Sequence, residues 1–225
     1  MITVSTTEAE SLSDRVFRDL YHRIIQRQLL PGDILDRREI ADELGVSVSP
    51  VVKALSRLEH EGIVEILPRK ITRIRIVHRE DFRVQVLMRA AMESQAARLF
   101  CGEPIRRNMD RLMEMAEFRD NAMRTESEID WQGEIRFHRA LVALADCPGF
   151  VREYDRIIRA GYFILLSASG GGELMVVEDE LSHVNLLKVF EKGDPDESSA
   201  MMRRHVEYGK EDFLRISRPV DNGGK

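Results

Sequence analysis

Glu134 and His138 stand four residues apart, a spacing that places both side chains on one face of a helix. His183 and His205 follow on what read as two later helices. One carboxylate and three imidazoles suit Zn²⁺, Ni²⁺ or a related divalent ion. Facing helices of a bundle are a common way to gather such donors. Taken singly, any of the six histidines reads as a satisfied polar side chain, and His22, His60 and His78, outside the pattern, read as surface residues. A second chemistry is carried by basic residues. Positions 68–77 hold Arg69, Lys70, Arg73 and Arg75 with no acid among them. Such a strip fits either a confined phosphate-contacting surface or an ordinary solvated edge.

The elements that must position these groups follow from periodicity. Val16, Leu20 and Ile24 recur at helical spacing, with Phe17, Tyr21 and Ile25 widening the stripe, which predicts a first helix over 11–29 started near Ser13-Asp14. Leu30-Pro31-Gly32-Asp33 stops it. A short helix over 37–44 buries Ile40, Ala41 and Leu44, and Gly45 supplies the left-handed residue that closes it. Ser47 is placed to cap a second helix over 48–61, with Val51, Leu55 and Leu58 inward. Two short helices on a tight glycine turn match a helix-turn-helix. Strands over 63–67 and 72–76, joined at Pro68-Arg69-Lys70, complete a wing. From Asp81 onward six amphipathic helices are expected, over 81–101, 104–123, 125–145, 148–168, 173–192 and 195–215. The fold class expected is therefore mainly α, an N-terminal winged helix-turn-helix followed by an all-helical bundle.

Composition narrows the function. The 225 residues are 43% hydrophobic and 32% charged, a globular balance that disordered chains lack. The net charge of −5 argues against nonspecific nucleic-acid binding by the whole chain. Yet residues 11–77 hold 12 Lys/Arg against 10 Asp/Glu, while 78–225 hold 22 against 27. No apolar run is long enough to span a bilayer and the first residues do not read as a secretory signal, so a cytoplasmic location without a membrane partner is expected. Cys101 and Cys147 form no metal-binding spacing and read as reduced, partly buried thiols.

The stretch LPGDILDRREIADELGVSVSPVVKALSRLEHEGIVEILPRK resembles the DNA-binding domain of GntR-family bacterial regulators. The C-terminal half resembles the FCD effector domain of the FadR subfamily, through Arg89-x-x-x-Glu93, Phe137-His138-Arg139-Ala140-Leu141, Ser182-His183 and Met202-Arg203-Arg204-His205. The resemblance implies a disordered tail (1–10), a winged helix-turn-helix DNA-binding domain (11–77), a helical effector-binding and dimerisation domain (78–216) and a polar C-terminal tail (217–225). It implies a homodimer on a near-palindromic double-stranded DNA operator, most often as a repressor released by effector. The DNA-contacting candidates are Arg38, Ser47, Ser49, Lys53, Arg57, Arg69 and Lys70. Family members usually carry arginines where this chain has Val48 and Val52, which leaves the operator open. A glycine often found in the wing is missing near Ile71-Thr72.

The same resemblance turns the four donors into a metal set, because FCD domains with a metal typically use an aspartate and three histidines. Glu134 departs from the aspartate by one methylene. Arg89 matches a position that can offer its guanidinium to an effector, and Arg with a metal would clamp a small organic acid. The alternative for Arg89 is a helix pair with Glu93. Tyr162 is a further candidate for lining the pocket, and Cys147 stands where relatives often have Asn. Rival functions are a regulator for which the metal itself is the signal, and a metal-dependent enzyme. Against the enzyme, the sequence shows no nucleophile–base pair, no phosphate loop at Gly170-Gly171-Gly172, and no spare catalytic carboxylate near the motif.

Overall fold

The structure, a computed structural model, describes residues 11–67, 71–125, 131–168, 179–208 and 210. They fall into two compact units, one within residues 1–77 and one within 78–225.

In the first unit, α1 (Leu12–Ile25) is capped by Ser11, whose hydroxyl accepts the Asp14 N–H, so the cap lies two residues before the expected Ser13. It ends before residue 29 because Arg27 turns left-handed at φ 59°. Helix α2 (Arg37–Leu44) is capped by Asp36 and closed by Gly45 at φ 61°, a conformation that costs glycine nothing and other residues energy. Helix α3 (Val48–His60) buries Val51, Ala54, Leu55 and Leu58 against α1. Strands β1 (Val64–Leu67) and β2 (Ile71–Ile74) pair antiparallel, Val64 opposite Ile74. The stretch after the first helix is more than a stop signal. Ile34 bridges Arg73, and Gly32 and Leu35 donate to the carbonyls of Ile74 and Thr72. With this pairing β2 begins one residue, and ends two residues, earlier than periodicity suggests. Arg37 Nη2 reinforces it with a 3.1 Å bond to Thr72 Oγ1.

The described part of the second unit is helical: α4 (Arg79–Phe100), α5 (Glu103–Arg107), α6 (Met109–Thr125), α7 (Trp131–Ala143), α8 (Pro148–Ala168), a 3₁₀ turn (Asp179–Leu181), α9 (His183–Lys192) and α10 (Pro195–Glu207). Helix α4 packs on α10, α8 and α7, while α6 packs on α9 and α7. Phe100, Phe137, Tyr154, Phe163 and Phe190 fill the interior. The single helix expected over 104–123 is broken, because Asn108 leaves helical geometry and its amide donates to the Pro104 carbonyl at 2.9 Å. The helix expected over 173–192 begins only at His183, where Ser182 caps it; residues 173–178 lie outside the described residues. So do 126–130, 211–225 and the expected tail 1–10. Cys101 is half-buried as expected, but Cys147 is exposed because it sits in the turn before α8.

Helix α8 approaches α4 closely at Gly161. A Cβ there would lie 1.9 Å from Gln85 Nε2, which is buried and donates to the Ile157 carbonyl at 3.1 Å. Gly161→Ala forces the helices apart or breaks that bond. The expected cost is about 1–3 kcal/mol, read as a thermal midpoint lowered by roughly 2–4 °C per kcal/mol. An unchanged midpoint would show that Gln85 relocates freely.

Candidate functional site

The four donors read from the sequence converge. Glu134 and His138 on α7, His183 opening α9 and His205 near the end of α10 each offer one ligand atom, and these atoms all lie within 4.8 Å of one another. The Nε2 atoms of His138 and His183 each lie 3.1 Å from a Glu134 oxygen. His205 Nε2 lies 3.2 Å from His138 Nε2. His138, His183 and His205 are buried, and Phe137 packs edge-on against the rings of His138 and His183.

Each histidine is also engaged from behind. His205 Nδ1 donates to the Leu181 carbonyl at 2.7 Å. His183 Nδ1 meets Asp120 Oδ1 at 2.6 Å, and Asp120 also accepts the backbone N–H groups of His183 and Val184. His138 Nδ1 faces Glu93 Oε2 at 2.7 Å. The Nδ1 atoms of His183 and His205 are hydrogen-bonded, that of His138 lies within ion-pair distance of Glu93 without hydrogen-bond alignment, and all three Nε2 atoms turn inward. This is how outer partners fix the tautomer of metal-binding imidazoles.

Charge follows the same plan. Glu93 is fully buried, yet Arg89 Nε at 2.7 Å and the Tyr154 hydroxyl at 2.9 Å both reach its Oε1. Burial works to raise the Glu93 pKa, but the charges of Arg89 and His138 outweigh it and hold the carboxyl below the usual range. Glu134 is likewise held well below its ordinary value, burial being overcome by His138 and His183. Burial, the largest influence on His183, pushes its pKa down, but hydrogen bonds with Asp120 and Glu134 leave it raised overall. His205 is pushed well down by burial and by the other two imidazoles. One ring prefers its proton and another refuses it, so the cluster is asymmetric before any ion binds.

Two further carboxylates, Glu93 and Asp120, lie beside the motif, each committed to a histidine. The Arg89–Glu93 helix pair forms, and Arg89 Nη2 also comes within 3.6 Å of Glu134 Oε1. Tyr162 lies on α8, partly exposed, whereas Tyr154 on the same helix reaches Glu93. Sequence reasoning missed Arg119. It is buried on α6, donates from Nε to Glu134 at 3.2 Å, and leaves Nη1 unpartnered among the described residues.

In the first unit, α3 turns an uninterrupted outer face to solvent: Val48, Ser49, Val52 and Lys53 are all exposed. Ser47 has the extended backbone of a cap, but its hydroxyl makes no capping bond, so capping does not explain it. The Arg38 side chain is exposed and lines a surface pocket of about 400 Å³ with Ile34, Arg37, Ile71 and Thr72. Arg57 is turned back onto α1, 3.1 Å from Asp14 and 3.7 Å above the Phe17 ring. Arg69 and Lys70 lie outside the described residues.

Comparison with known proteins gives two family matches. Residues 12–74 match the family described as bacterial regulatory proteins, gntR family, and residues 86–208 match the FCD domain. A Paenarthrobacter nicotinovorans protein named "Probable D-xylose utilization operon transcriptional repressor" is 27% identical over 207 residues, covering 89% of this chain and 86% of the relative. The HTH-type transcriptional repressor RspR of Escherichia coli K12 is 19% identical, covering 96% and 95%. A GntR transcriptional regulator of Rhodococcus sp. RHA1 shares the fold, with a TM-score of 0.69 at 19% identity over 93% of this chain and 100% of that one.

Proposed function

The chain belongs to the GntR family of bacterial regulatory proteins and carries an FCD domain, and from that premise we propose a DNA-binding repressor whose operator affinity is set by a small carboxylate bound at a metal-containing helical domain. The observation that carries the effector half is the convergence of the three Nε2 atoms and Glu134 on one point, each Nδ1 already facing an acceptor. These donors fit a divalent transition ion such as Zn²⁺ or Ni²⁺. Once bound, the ion supplies a positive centre for a carboxylate. Arg89 and the unpartnered Nη1 of Arg119 add guanidinium groups beside Glu134.

The regulator acts as a cytoplasmic homodimer on a near-palindromic operator. An apolar stripe on the outer face of α4, with Val84, Leu87 and Met88 exposed, supports the dimer. No helix among the described residues is long and apolar enough to cross a membrane. Arg38, Ser47, Ser49 and Lys53 make the DNA-facing set in this reading, and Arg57 braces α3 on α1. Effector binding that favours one arrangement of the dimer shifts DNA affinity by linkage.

One observation favours a second reading, in which the ion itself is the signal. Four protein donors can satisfy an ion that prefers four ligands, leaving no place for an organic acid. Operator binding, titrated with metal after chelation and then with a panel of small mono- and dicarboxylates, separates the two. Release by carboxylate only in the metal-loaded protein is expected. Release by metal alone would establish the second reading, and indifference to both would sink the metal assignment.

A further inference from the structure

We propose that Val48 and Val52 are specificity-determining residues that read the 5-methyl groups of thymines in the major groove. The inference rests on the DNA-binding reading above and deepens it. In a helix-turn-helix the start of the second helix lies against the base edges. On α3 the side chains presented there at i and i+4 are these two valines, 40% and 37% exposed. They are not spare core residues, because the inward face is already filled by Val51, Ala54, Leu55 and Leu58.

Their surroundings identify the occupant. From Ser47 through Leu58 the helix carries no acid, and Lys53 stands exposed beside Val52. A polyanion is therefore accepted along the whole face, and the positive end of the helix dipole adds to it. Hydroxyls at Ser47 and Ser49 can serve phosphate oxygens and so set the register. What remains for base reading is apolar. Thymine is the one base that presents a methyl group in the major groove. A guanine or cytosine edge against valine would lose hydrogen bonds to water and gain none. The two valines, one helical turn apart, thus select thymine and penalise polar edges at neighbouring positions of each half-site.

The test uses the full-length protein. Sites are first selected from random duplex DNA, and each thymidine in the selected site is then replaced singly by deoxyuridine, which removes only the methyl. Loss of about fourfold in affinity is expected at two clustered thymines per half-site, the effect of one methyl-sized apolar contact. In the Val48→Ala/Val52→Ala variant the same replacements become neutral, while far-ultraviolet circular dichroism and the thermal midpoint stay as in the parent. Uracil replacement without effect at every position would overturn the proposal and leave the DNA-binding reading standing. So would a loss that persists undiminished in the double variant. Failure to select any sequence would overturn both.

Discussion

Replacing His183 by alanine is expected to abolish divalent-metal retention while leaving the helical unit folded. Among the ligand candidates His183 offers a clean separation of the two effects. Its ring meets Asp120 and Glu134, but its backbone N–H and that of Val184 also bond to Asp120, and those bonds survive the substitution. The parent protein, purified without chelator, should carry about one ion per chain, and the variant should carry almost none, since losing an outer partner alone costs 10–100-fold in affinity. Asp120→Asn is therefore expected to fall between them. Elemental analysis with circular dichroism makes the measurement. Full metal content in the alanine variant would remove His183 from the site.

The same variant has a pH signature in the metal-free state. A histidine with a raised folded pKa contributes stability that is complete below its unfolded value, about 6.5, and is lost as pH rises through the folded value. His183 is such a group. His205, with its pKa pushed down, contributes the opposite limb: stability falls as pH drops below the unfolded value. In the parent, these two groups place maximal stability near pH 6.5, and His183→Ala is expected to flatten the alkaline limb. Once metal is bound the slope reverses, because ligation requires the imidazoles without their Nε2 protons.

Replacing Arg89 by methionine has the second large effect, on stability. Arg89 is 6% exposed and Glu93 fully buried, and Glu93 draws its charge compensation from Arg89 first. Removing the guanidinium strands that carboxylate, and breaking a buried pair costs about 3–5 kcal/mol. Urea titration of the metal-free protein reads it. The double variant Arg89→Met/Glu93→Gln removes both charges and should recover most of the loss. That double variant then tests the effector role independently of folding. If it keeps its metal yet no longer responds to carboxylates, Arg89 touches the effector as well as Glu93. If the response survives, Arg89 serves only the ion pair. A single variant as stable as the parent would contradict the burial argument.

Local features were the legible ones. Gly45 and the apolar spacing on α2 and α3 identify the helix-turn-helix because turn and faces lie within two dozen residues. Glu134 and His138 declare themselves by spacing, and His183 and His205 by their order after a family motif. What stayed hidden were pairings made across the bundle. Asp120 meets His183 63 positions away, and Tyr154 meets Glu93 61 positions away. Periodicity says which face is inward, never which helix it meets. Helix α4 blurs even that, since Gln85, Arg89, Glu93 and Ser94 share its buried face with apolar residues. The break at Asn108 escaped for a related reason, as its side chain competes for a carbonyl that apolar spacing does not register. The pairing of Ile34 with β2 was masked by the stronger signal of Pro31 and Gly32.

The enclosure of the histidine cluster has a consequence in time. With His138 at 0%, His183 at 1% and His205 at 9% exposure among the described residues, and Glu134 at 12%, an ion held there would exchange slowly, helped by the local opening of the surrounding helices. Its residence would then reflect the opening of the bundle as well as its affinity, and the speed of a chelator would report both. Such a centre would be slow to follow changes in the surrounding metal supply, and rapid signals would arrive through whatever exchanges beside it.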